Sequence, residues 1–557
     1  MNIVVSRNII KLIKRSIAIA KCWKEPIIVV LLLGIFATLS LVESSRQSAT
    51  ADEVSHIPAG ISYVQTGDLR INPQHPALVK YLSGLSSQAA AHPKMSQGWK
   101  TWERSSEWYF GMQLLYATPE NNADKIVFWA RIPIFILSIG LGLVIFFWAS
   151  AMFGQTAGLF ALGFYALDPT MIAFSHLVLF DLPIAFFVAV SAFCIWVADK
   201  RQQIWLYVCA GIFLGLALTS KASALAFVFI VPLLLGPAIS KIKEGIIQQI
   251  KFFISRLGLI YLTTITTIWA TYFIMLGNKV WRGISLLPAD FIYAMDQGQV
   301  RFLGIKPMFL FGRLSSHGEW WYFPGSILAK NPIPLSVVLI LGLVFLAKKK
   351  QNWLSKNKVY LIAPIVVIIT YAMGSKFNIG VRLIFIIYPF MFILAGYVVS
   401  IILRSTSKAK VLVWALITYY SFTLVSTFPN YLAYSNELFG GRTRGYRYLA
   451  DSNLDIGQGL KELRGYADKH NIKNMPIIYF GEAIPEYYGL KTVYMAISDF
   501  NPGKFNYMVR KRTGWLALST SLANYCGMHD QNYQIRGNKP VDLIAGSILI
   551  YNLPPSN

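Results

Sequence analysis

Long apolar runs alternate with short polar segments over the first three quarters of the chain. A helix needs roughly 20 apolar residues to cross a bilayer, and most of these runs approach that length. The pattern therefore predicts a multi-pass α-helical membrane protein with about eleven transmembrane helices. The runs are residues 26–42, 127–150, 156–175, 181–198, 204–220, 222–240, 257–276, 334–347, 359–374, 381–403 and 411–428.

Three longer polar stretches interrupt this pattern, at residues 43–125, 277–332 and 429–557. Within the first, residues 52–64 and 76–91 have patterns that are compatible with helices but too short to cross a membrane. We expect two helices that lie in the plane of the membrane. The second stretch contains the aromatic sequence Trp320-Trp-Tyr-Phe-Pro324 and is expected to form an interfacial loop.

The last stretch differs from the rest of the chain. Residues 476–480 and 547–551 are typical of buried strands, and residues 454–470 are typical of an amphipathic helix. This predicts a transmembrane domain over residues 1–428 and a small α/β domain over residues 429–557.

Composition supports the membrane assignment. Of the 557 residues, 55% are hydrophobic and only 14% are charged, and mean hydropathy is +0.49. A soluble interior could not hold this much apolar surface.

The net charge of +25 is concentrated in short segments between apolar runs, which excludes a nucleic-acid-binding stripe. Cations beside membrane segments are held on the cytoplasmic side. We therefore expect a protein of the inner or plasma membrane with a cytoplasmic N-terminus, and with all three polar stretches on the extracytoplasmic side. The basic segments are residues 7–24, 199–201, 241–256, 348–358 and 404–410.

An acidic pair, Asp52 and Glu53, follows the first apolar run. His56 lies four residues after Asp52, so the two side chains share one helix face. Asp52 could act as a general base, or it could be an acid in the first turn that stabilises the helix dipole. Asp181, at the outer start of a later run, lies two residues before Pro183, as is common at a helix start. The alternative is a functional role, because ionisable groups at membrane depth are costly and usually functional.

Four cations fall at predicted outer ends of helices, where the charge trend disfavours them: Lys80, Arg131, Lys221 and Arg382. A lipid phosphate lies at that depth and would pair with them. The alternatives are snorkelling to the interface or pairing with Asp52, Glu53 or Asp181. The sequence carries no zinc or nucleotide-binding motif in a supporting context.

Several short motifs lie along the chain: Asp52-Glu53 with His56, Gly67-Asp68, Asn72-Pro73, His75-Pro-Ala-Leu-Val-Lys80, Asp168-Pro169, Asp181-Leu-Pro183, Lys330-Asn-Pro-Ile-Pro334, Asn378-Ile-Gly-Val-Arg382 and Asp451-Ser-Asn-Leu-Asp-Ile-Gly-Gln458. Together they resemble bacterial members of glycosyltransferase family 39, the relatives of protein O-mannosyltransferases and of lipid A aminoarabinose transferases. The resemblance runs from about residue 28 to residue 490, with two departures: Ile456 stands where Trp is usual and Asn331 where Thr is usual.

The resemblance implies a GT-C fold and transfer of a sugar from a polyprenyl-phosphate donor on the extracytoplasmic side. Asp52 maps onto the catalytic base, with Glu53 and Asp181 as supporting acids. The substrate-binding candidates are His56, His75, Lys80, Arg131, Lys221 and Arg382. Members of the family differ in metal use, so a divalent cation (Mg²⁺ or Mn²⁺) is compatible with the resemblance, although no dedicated set of metal ligands stands out.

The sequence thus predicts an integral-membrane glycosyltransferase that acts on a protein, lipid or glycan acceptor, with inversion at the sugar. The alternative from another class is a transporter or flippase of a polyprenyl-linked sugar. Transporters tend to show two related halves with broken helices at the midplane. Here the acids cluster at the outer surface and no two halves match.

A non-catalytic sugar-binding scaffold is the third interpretation, and it leaves the combined acidic and cationic sets unexplained.

Overall fold

The computed structural model describes residues 25–280, 285–304, 306–348, 353–495 and 502–555. The basic residues of the N-terminus and part of the basic segment 348–358 lie outside these ranges.

Within the described residues, seven helices are long and apolar enough to cross a membrane. This confirms a multi-pass helical membrane protein. The seven are Glu25–Arg46, Ala123–Phe153, Asp181–Arg201, Ala222–Ile239, Ile246–Val280, Val381–Ile402 and Ser407–Thr427.

The other four predicted runs also form helices, although these do not combine the same apolar length and hydropathy within the described residues. Trp205–Leu218, Ile333–Lys348 and Trp353–Met373 each form one helix. The run at 156–175 forms two, Gln155–Ala166 and Pro169–Phe174. All eleven apolar runs are therefore helical, as the hydropathy pattern predicts.

The break in the 156–175 run has a local cause. Asp168 is the N-cap of the second piece, and its carboxylate accepts a hydrogen bond from the Met171 amide at 3.0 Å. Pro169 occupies the first helical position, where its missing N–H costs nothing. The dipeptide therefore ends one helix and starts the next.

The two predicted short helices of the first polar stretch are Ala51–Thr66 and Leu78–Ala91. They cross with their backbones in contact: a Cβ added at Gly60 would lie 1.9 Å from the Lys80 carbonyl oxygen, and one at Gly84 would lie 2.1 Å from the Gly60 carbonyl. Only glycine at the crossing allows this approach, so the sequence locks the helix that carries Asp52 against its neighbour.

The second polar stretch is more ordered than a simple interfacial loop. Helix Ala289–Leu303 is followed by an antiparallel pair of strands, β1 (Met308–Leu310) and β2 (Arg313–Ser315). The aromatic sequence at 320–324 then enters helix Tyr322–Lys330.

The C-terminal region contains five strands: β3 Pro476–Tyr479, β4 Lys491–Met495, β5 Gly514–Ser519, β6 Asp542–Ile544 and β7 Ile548–Leu553. They form a mixed sheet in the order β4-β3-β5-β7-β6. β3 pairs in parallel with β4 and β5, whereas β7 pairs antiparallel with β5 and β6. Both predicted strands are present, as β3 and β7. The α-helices of this region are Leu460–Lys469, Pro502–Arg510 and Thr520–Tyr525.

The amphipathic helix predicted over residues 454–470 starts later, at Leu460. Gly457 has φ +87°, a left-handed conformation that a helix cannot continue through. Residues 451–458, which we call the bridging loop, instead form an irregular segment between the sheet and the transmembrane helices.

The C-terminal region packs onto the N-terminal end of helix Ala123–Phe153. Lys461 forms an ion pair with Asp124 at 3.0 Å, and the Tyr488 hydroxyl donates to the same carboxylate at 3.0 Å. Asp124 is in the first turn of helix Ala123–Phe153. These contacts place the sheet on the same side as the short helices.

Candidate active site

One cavity is lined by side chains from the short helices, the transmembrane helices and the bridging loop. Six of the nine predicted site residues line it, although they come from distant parts of the chain: Asp52, His56, His75, Asp181, Lys221 and Arg382.

Asp52 and Arg382 form an ion pair in this cavity, with Arg382 Nη1 2.6 Å from Asp52 Oδ2. The Asp52 side chain is 23% exposed and that of Arg382 is 11% exposed, so both remain accessible from the cavity. The Nε–H of Arg382 is buried and has no hydrogen-bond partner among the described residues. A carboxylate thus meets a guanidinium that has one N–H group without a hydrogen-bond partner among the described residues.

Asp181 and Lys221 form a second ion pair in the wall of the cavity. Asp181 is the first residue of helix Asp181–Arg201, and Lys221 lies in the short turn between helix Trp205–Leu218 and the next apolar helix. Both side chains are largely buried, and Lys221 donates directly to Asp181. The cavity therefore contains two acid–base pairs.

His56 and His75 pack on the same aromatic ring. The imidazoles lie 4.4 Å and 5.1 Å from the Phe180 ring centroid, respectively. His56 Nδ1 is 3.0 Å from the Val178 carbonyl oxygen, which indicates that this nitrogen carries the proton and donates. As the spacing predicts, Asp52 and His56 line one cavity.

Two charged residues of the cavity, Asp451 and Lys306, were not among the residues predicted from the sequence. The Asp451 carboxylate accepts from the Ser452 amide at 2.7 Å and from the Tyr525 hydroxyl at 3.1 Å. Burial raises the pKa of Asp451, and the nearby charges of Arg382 and Lys306 partly offset this effect. The 451–458 motif was a usable signal, but nothing local to it indicated that its first residue faces the cavity.

Glu53 lies outside the cavity lining and is fully buried. Arg131 forms a bidentate ion pair with the Glu53 carboxylate, with Nε 2.8 Å from Oε1 and Nη2 2.7 Å from Oε2. The Thr50 amide and hydroxyl and the Val178 amide donate to the same carboxylate. This geometry changes the expected role of Glu53 from supporting acid to anchor of the helix that carries Asp52.

The electrostatics of Glu53 match this role. Burial by itself would raise its pKa, but the charge and hydrogen bonds of Arg131 and the amides of Thr50 and Val178 lower the pKa to about 2. Thr50 is the N-cap of helix Ala51–Thr66 and forms a capping box with Glu53. The Thr-x-x-Glu spacing was a sequence signal for this structural function.

Arg131 has no free face for a lipid phosphate. Besides Glu53, its guanidinium donates to the Ser44 carbonyl at 2.8 Å and to the Ser48 carbonyl at 3.0 Å, and the residue is 1% exposed. The expectation of phosphate binding therefore gives way to a structural role for Arg131.

Lys80 is also fully buried and outside the cavity lining. Its ammonium donates to the carbonyl oxygens of Asn72, Gln74 and His75 at 2.5, 3.1 and 3.1 Å. It holds together the turn that presents His75 to the cavity. The expected phosphate contact of Lys80 gives way to this positioning role.

The two departures from the family pattern lie in different places. Ile456 lines the cavity next to Ala51, whose amide donates to the Ile456 carbonyl at 2.9 Å. Asn331 is buried away from it, and its side-chain carbonyl accepts from the Tyr388 hydroxyl at 3.0 Å. Only the first departure can alter the shape of the cavity.

The described residues contain no group of three or more His, Cys, Asp or Glu side chains placed to hold a metal ion. The chemistry that the cavity offers directly is proton transfer to a carboxylate next to cationic groups that can stabilise a developing negative charge.

Comparison with solved structures finds similarity to ArnT and to an archaeal oligosaccharyltransferase. ArnT from Cupriavidus metallidurans bound to undecaprenyl phosphate is 11% identical, with a TM-score of 0.49, and the match covers 94% of this chain and 97% of that one. AglB from Archaeoglobus fulgidus, an archaeal oligosaccharyltransferase in complex with an inhibitory peptide and a dolichol phosphate, is 10% identical with a TM-score of 0.47, covering 90% of this chain and 70% of that one.

No curated protein matches the chain in sequence. A family model does: residues 29–280 match the dolichyl-phosphate-mannose-protein mannosyltransferase family. This segment holds Asp52, Glu53, His56, His75, Asp181 and Lys221. The match confirms, over this part of the chain, the resemblance to the protein O-mannosyltransferases.

Proposed function

We propose that this protein is an integral-membrane glycosyltransferase that moves a sugar from a polyprenyl-phosphate donor to a hydroxyl or amine of a protein, lipid or glycan acceptor. The observation that carries the proposal is the contact between the Asp52 carboxylate and the Arg382 guanidinium inside one cavity. The family match over residues 29–280 supports the same reaction class.

In this reaction Asp52 is the base. The acceptor oxygen or nitrogen attacks C1 of the sugar as its proton passes to the Asp52 carboxylate, and the bond between C1 and the phosphate oxygen breaks. A carboxylate of ordinary basicity can take this proton late, once the attacking group has become acidic through bond formation. Direct displacement inverts the anomeric centre, and NMR spectroscopy of the product would reveal a retained configuration if this were wrong.

Arg382 and Lys221 are the proposed phosphate ligands, with Lys306 as a further cation of the same cavity. Arg382 can offer a phosphate a fork of N–H groups, whereas a lysine offers a point charge. Their charges stabilise the polyprenyl phosphate as it leaves, which is usually the largest contribution to such a reaction.

Asp181 is the proposed support of this arrangement, because it holds Lys221 in the cavity wall. His56 and His75 are proposed to face the sugar, since both line the cavity and pack against Phe180. No residue is assigned to a divalent cation, and no step passes through one.

The proposed orientation has the cavity and the C-terminal region on the extracytoplasmic side. It follows from the basic segments between apolar runs, which the positive-inside trend retains in the cytoplasm. Nucleotide sugars are absent outside, so a lipid-linked donor fits that location.

Transfer of radiolabelled sugar from endogenous polyprenyl-phosphate donors in membranes tests the proposal. We expect Asp52→Asn to abolish transfer, while Asp530→Asn, a control at an exposed carboxylate of the C-terminal region, leaves it unchanged. Retained transfer in Asp52→Asn would overturn the mechanism. A flippase would be supported instead by two observations together. The wild type would transfer no sugar but would move the labelled lipid between leaflets, and Asp52→Asn would lose that movement.

A further inference from the structure

The bridging loop, residues 451–458, contacts both elements that carry the cavity ion pair. It belongs to the C-terminal part of the chain, whereas Asp52 and Arg382 come from the transmembrane part and are separated by 330 positions. A segment that touches both elements can control how the two charged groups face each other.

On one side the loop supports the start of helix Ala51–Thr66. The Ala51 amide donates to the Ile456 carbonyl at 2.9 Å, and the Ser48 amide donates to the Gln458 carbonyl at 3.1 Å. The first amides of a helix have no acceptor within the helix, so an external carbonyl stabilises them. The bond at Ala51 lies one residue before the proposed base.

On the other side the loop supports the segment that carries Arg382. The Val381 amide donates to the Asn453 side-chain oxygen at 2.9 Å, and the Ser452 amide donates to the Ile379 carbonyl at 3.1 Å. The bond at Val381 lies one residue before Arg382. The loop thus binds the backbone next to each charged residue.

Asn453 is itself held firmly. It is fully buried, its carbonyl accepts from the Lys330 ammonium at 2.8 Å, and its side-chain nitrogen donates to the Tyr322 hydroxyl at 3.2 Å. Every polar group of its side chain therefore has a partner, and one of these partners is the backbone that presents Arg382. A buried polar network with all its members satisfied rigidifies the surrounding structure.

We propose that the bridging loop is a positioning element that sets the placement of Arg382 relative to Asp52, with Asn453 as a positioning residue that acts through Arg382. Catalytic groups lose much of their effect when misplaced by about 1 Å, which gives such a residue leverage without substrate contact. The inference deepens the proposed function. Its test by lipid-phosphate binding rests on that function, whereas its test by hydrogen–deuterium exchange does not.

The test compares two asparagine variants of the full-length protein in detergent. Asn453→Ala removes the acceptor for the Val381 amide. Asn524→Ala is the matched control, because Asn524 is equally buried in the C-terminal region and donates to the carbonyls of Tyr446 and Leu449, but binds neither element of the ion pair. A loss caused only by lower stability would appear in both variants.

The first measurement is hydrogen–deuterium exchange, which needs no substrate. We expect faster amide exchange over residues 377–384 in Asn453→Ala, and no change there in Asn524→Ala. Unchanged exchange in Asn453→Ala, or an equal increase in both variants, would overturn the inference whatever the protein's function.

The second measurement is the affinity for undecaprenyl phosphate, used as a probe for the phosphate of the lipid donor. Asn453→Ala should weaken binding about tenfold when Arg382 is present, which is the effect of about one lost hydrogen bond. When Asn453→Ala is added to an Arg382→Ala variant, the affinity should fall by less than about twofold further, because Asn453 acts through Arg382. Equal losses in the two backgrounds would contradict that route.

The two failures can be told apart. If the wild-type protein does not bind the probe, or Arg382→Ala binds it equally well, the proposed phosphate site fails, and the exchange measurement alone decides whether Asn453 positions the segment. If Arg382→Ala loses binding but Asn453→Ala behaves like Asn524→Ala, the phosphate site stands and the positioning role is wrong.

Discussion

Two adjacent carboxylates, Asp52 and Glu53, are each paired with an arginine but in opposite surroundings. The Asp52–Arg382 pair is 23% and 11% exposed and faces the cavity, whereas the Glu53–Arg131 pair is 0% and 2% exposed. Asp52 accepts a hydrogen bond from Arg382 in a cavity, while Glu53 accepts five hydrogen bonds away from it. Access from the cavity, rather than residue type, distinguishes the ion pair that we propose to be reactive from the structural one.

Neutralising Asp52 tests most directly whether the two carboxylates have different roles. Asp52→Asn should reduce sugar transfer by about 10²–10⁴-fold, the usual contribution of a general base. The fold should persist, because Asp52 is not part of the buried network. Transfer rates at matched amounts of folded protein would show this, and a loss of less than about threefold would remove Asp52 from the mechanism.

Neutralising Glu53 should have a different outcome. Glu53→Gln leaves Arg131 buried without its anion, and breaking a buried ion pair typically costs about 3–5 kcal/mol. We expect a large drop in thermal stability and in the yield of folded protein. If the variant were as stable as the wild type but inactive, Glu53 would be a catalytic residue after all and the comparison would fail.

Arginine-to-lysine changes test the two ion pairs separately, because they keep the positive charge and remove the forked N–H donors of the guanidinium. Arg131→Lys should lower the melting temperature, since four hydrogen bonds depend on the guanidinium geometry. Arg382→Lys should leave stability nearly unchanged and weaken affinity for undecaprenyl phosphate about tenfold. Lost stability in Arg382→Lys, together with lost affinity but normal stability in Arg131→Lys, would contradict the separate roles of the two arginines.

A smaller, pH-dependent effect is expected at Asp455 in the bridging loop. Burial raises the pKa of this carboxyl from 3.8 to about 7, with hydrogen bonds from Ser519 and the Gly457 amide offsetting part of the rise. The folded protein thus keeps the proton between these values while the unfolded chain loses it, so stability falls as pH rises from about 4 to about 7. Asp455→Asn should flatten this part of the profile in denaturation measured across that range. The same slope in variant and wild type would contradict it.

Sequence reasoning identified the helices because length and hydropathy are local properties, and all eleven apolar runs are helical. It also gathered six cavity residues, five through motifs of a known family and Lys221 as a cation at a predicted outer helix end. The partners of those residues are set by tertiary packing: Arg382 meets Asp52 across 330 positions, which no spacing rule reveals. For the same reason Arg131 and Lys80 resembled phosphate ligands, although their actual partners are Glu53 and a set of backbone carbonyls.

The helix predicted from residue 454 shows a second kind of limit. Its apolar periodicity is real from Leu460 onward, but Gly457 adopts a left-handed conformation and the preceding residues bind two other segments instead. Periodicity cannot register such competition from distant hydrogen-bond partners.

A structure of the full-length protein with undecaprenyl phosphate, determined by electron cryomicroscopy, tests the central claim most directly. We predict that the phosphate lies within hydrogen-bond distance of the Arg382 guanidinium in the cavity that contains Asp52, while Arg131 remains bound to Glu53. A phosphate bound at Arg131, or at any site that does not open onto Asp52, would contradict the account.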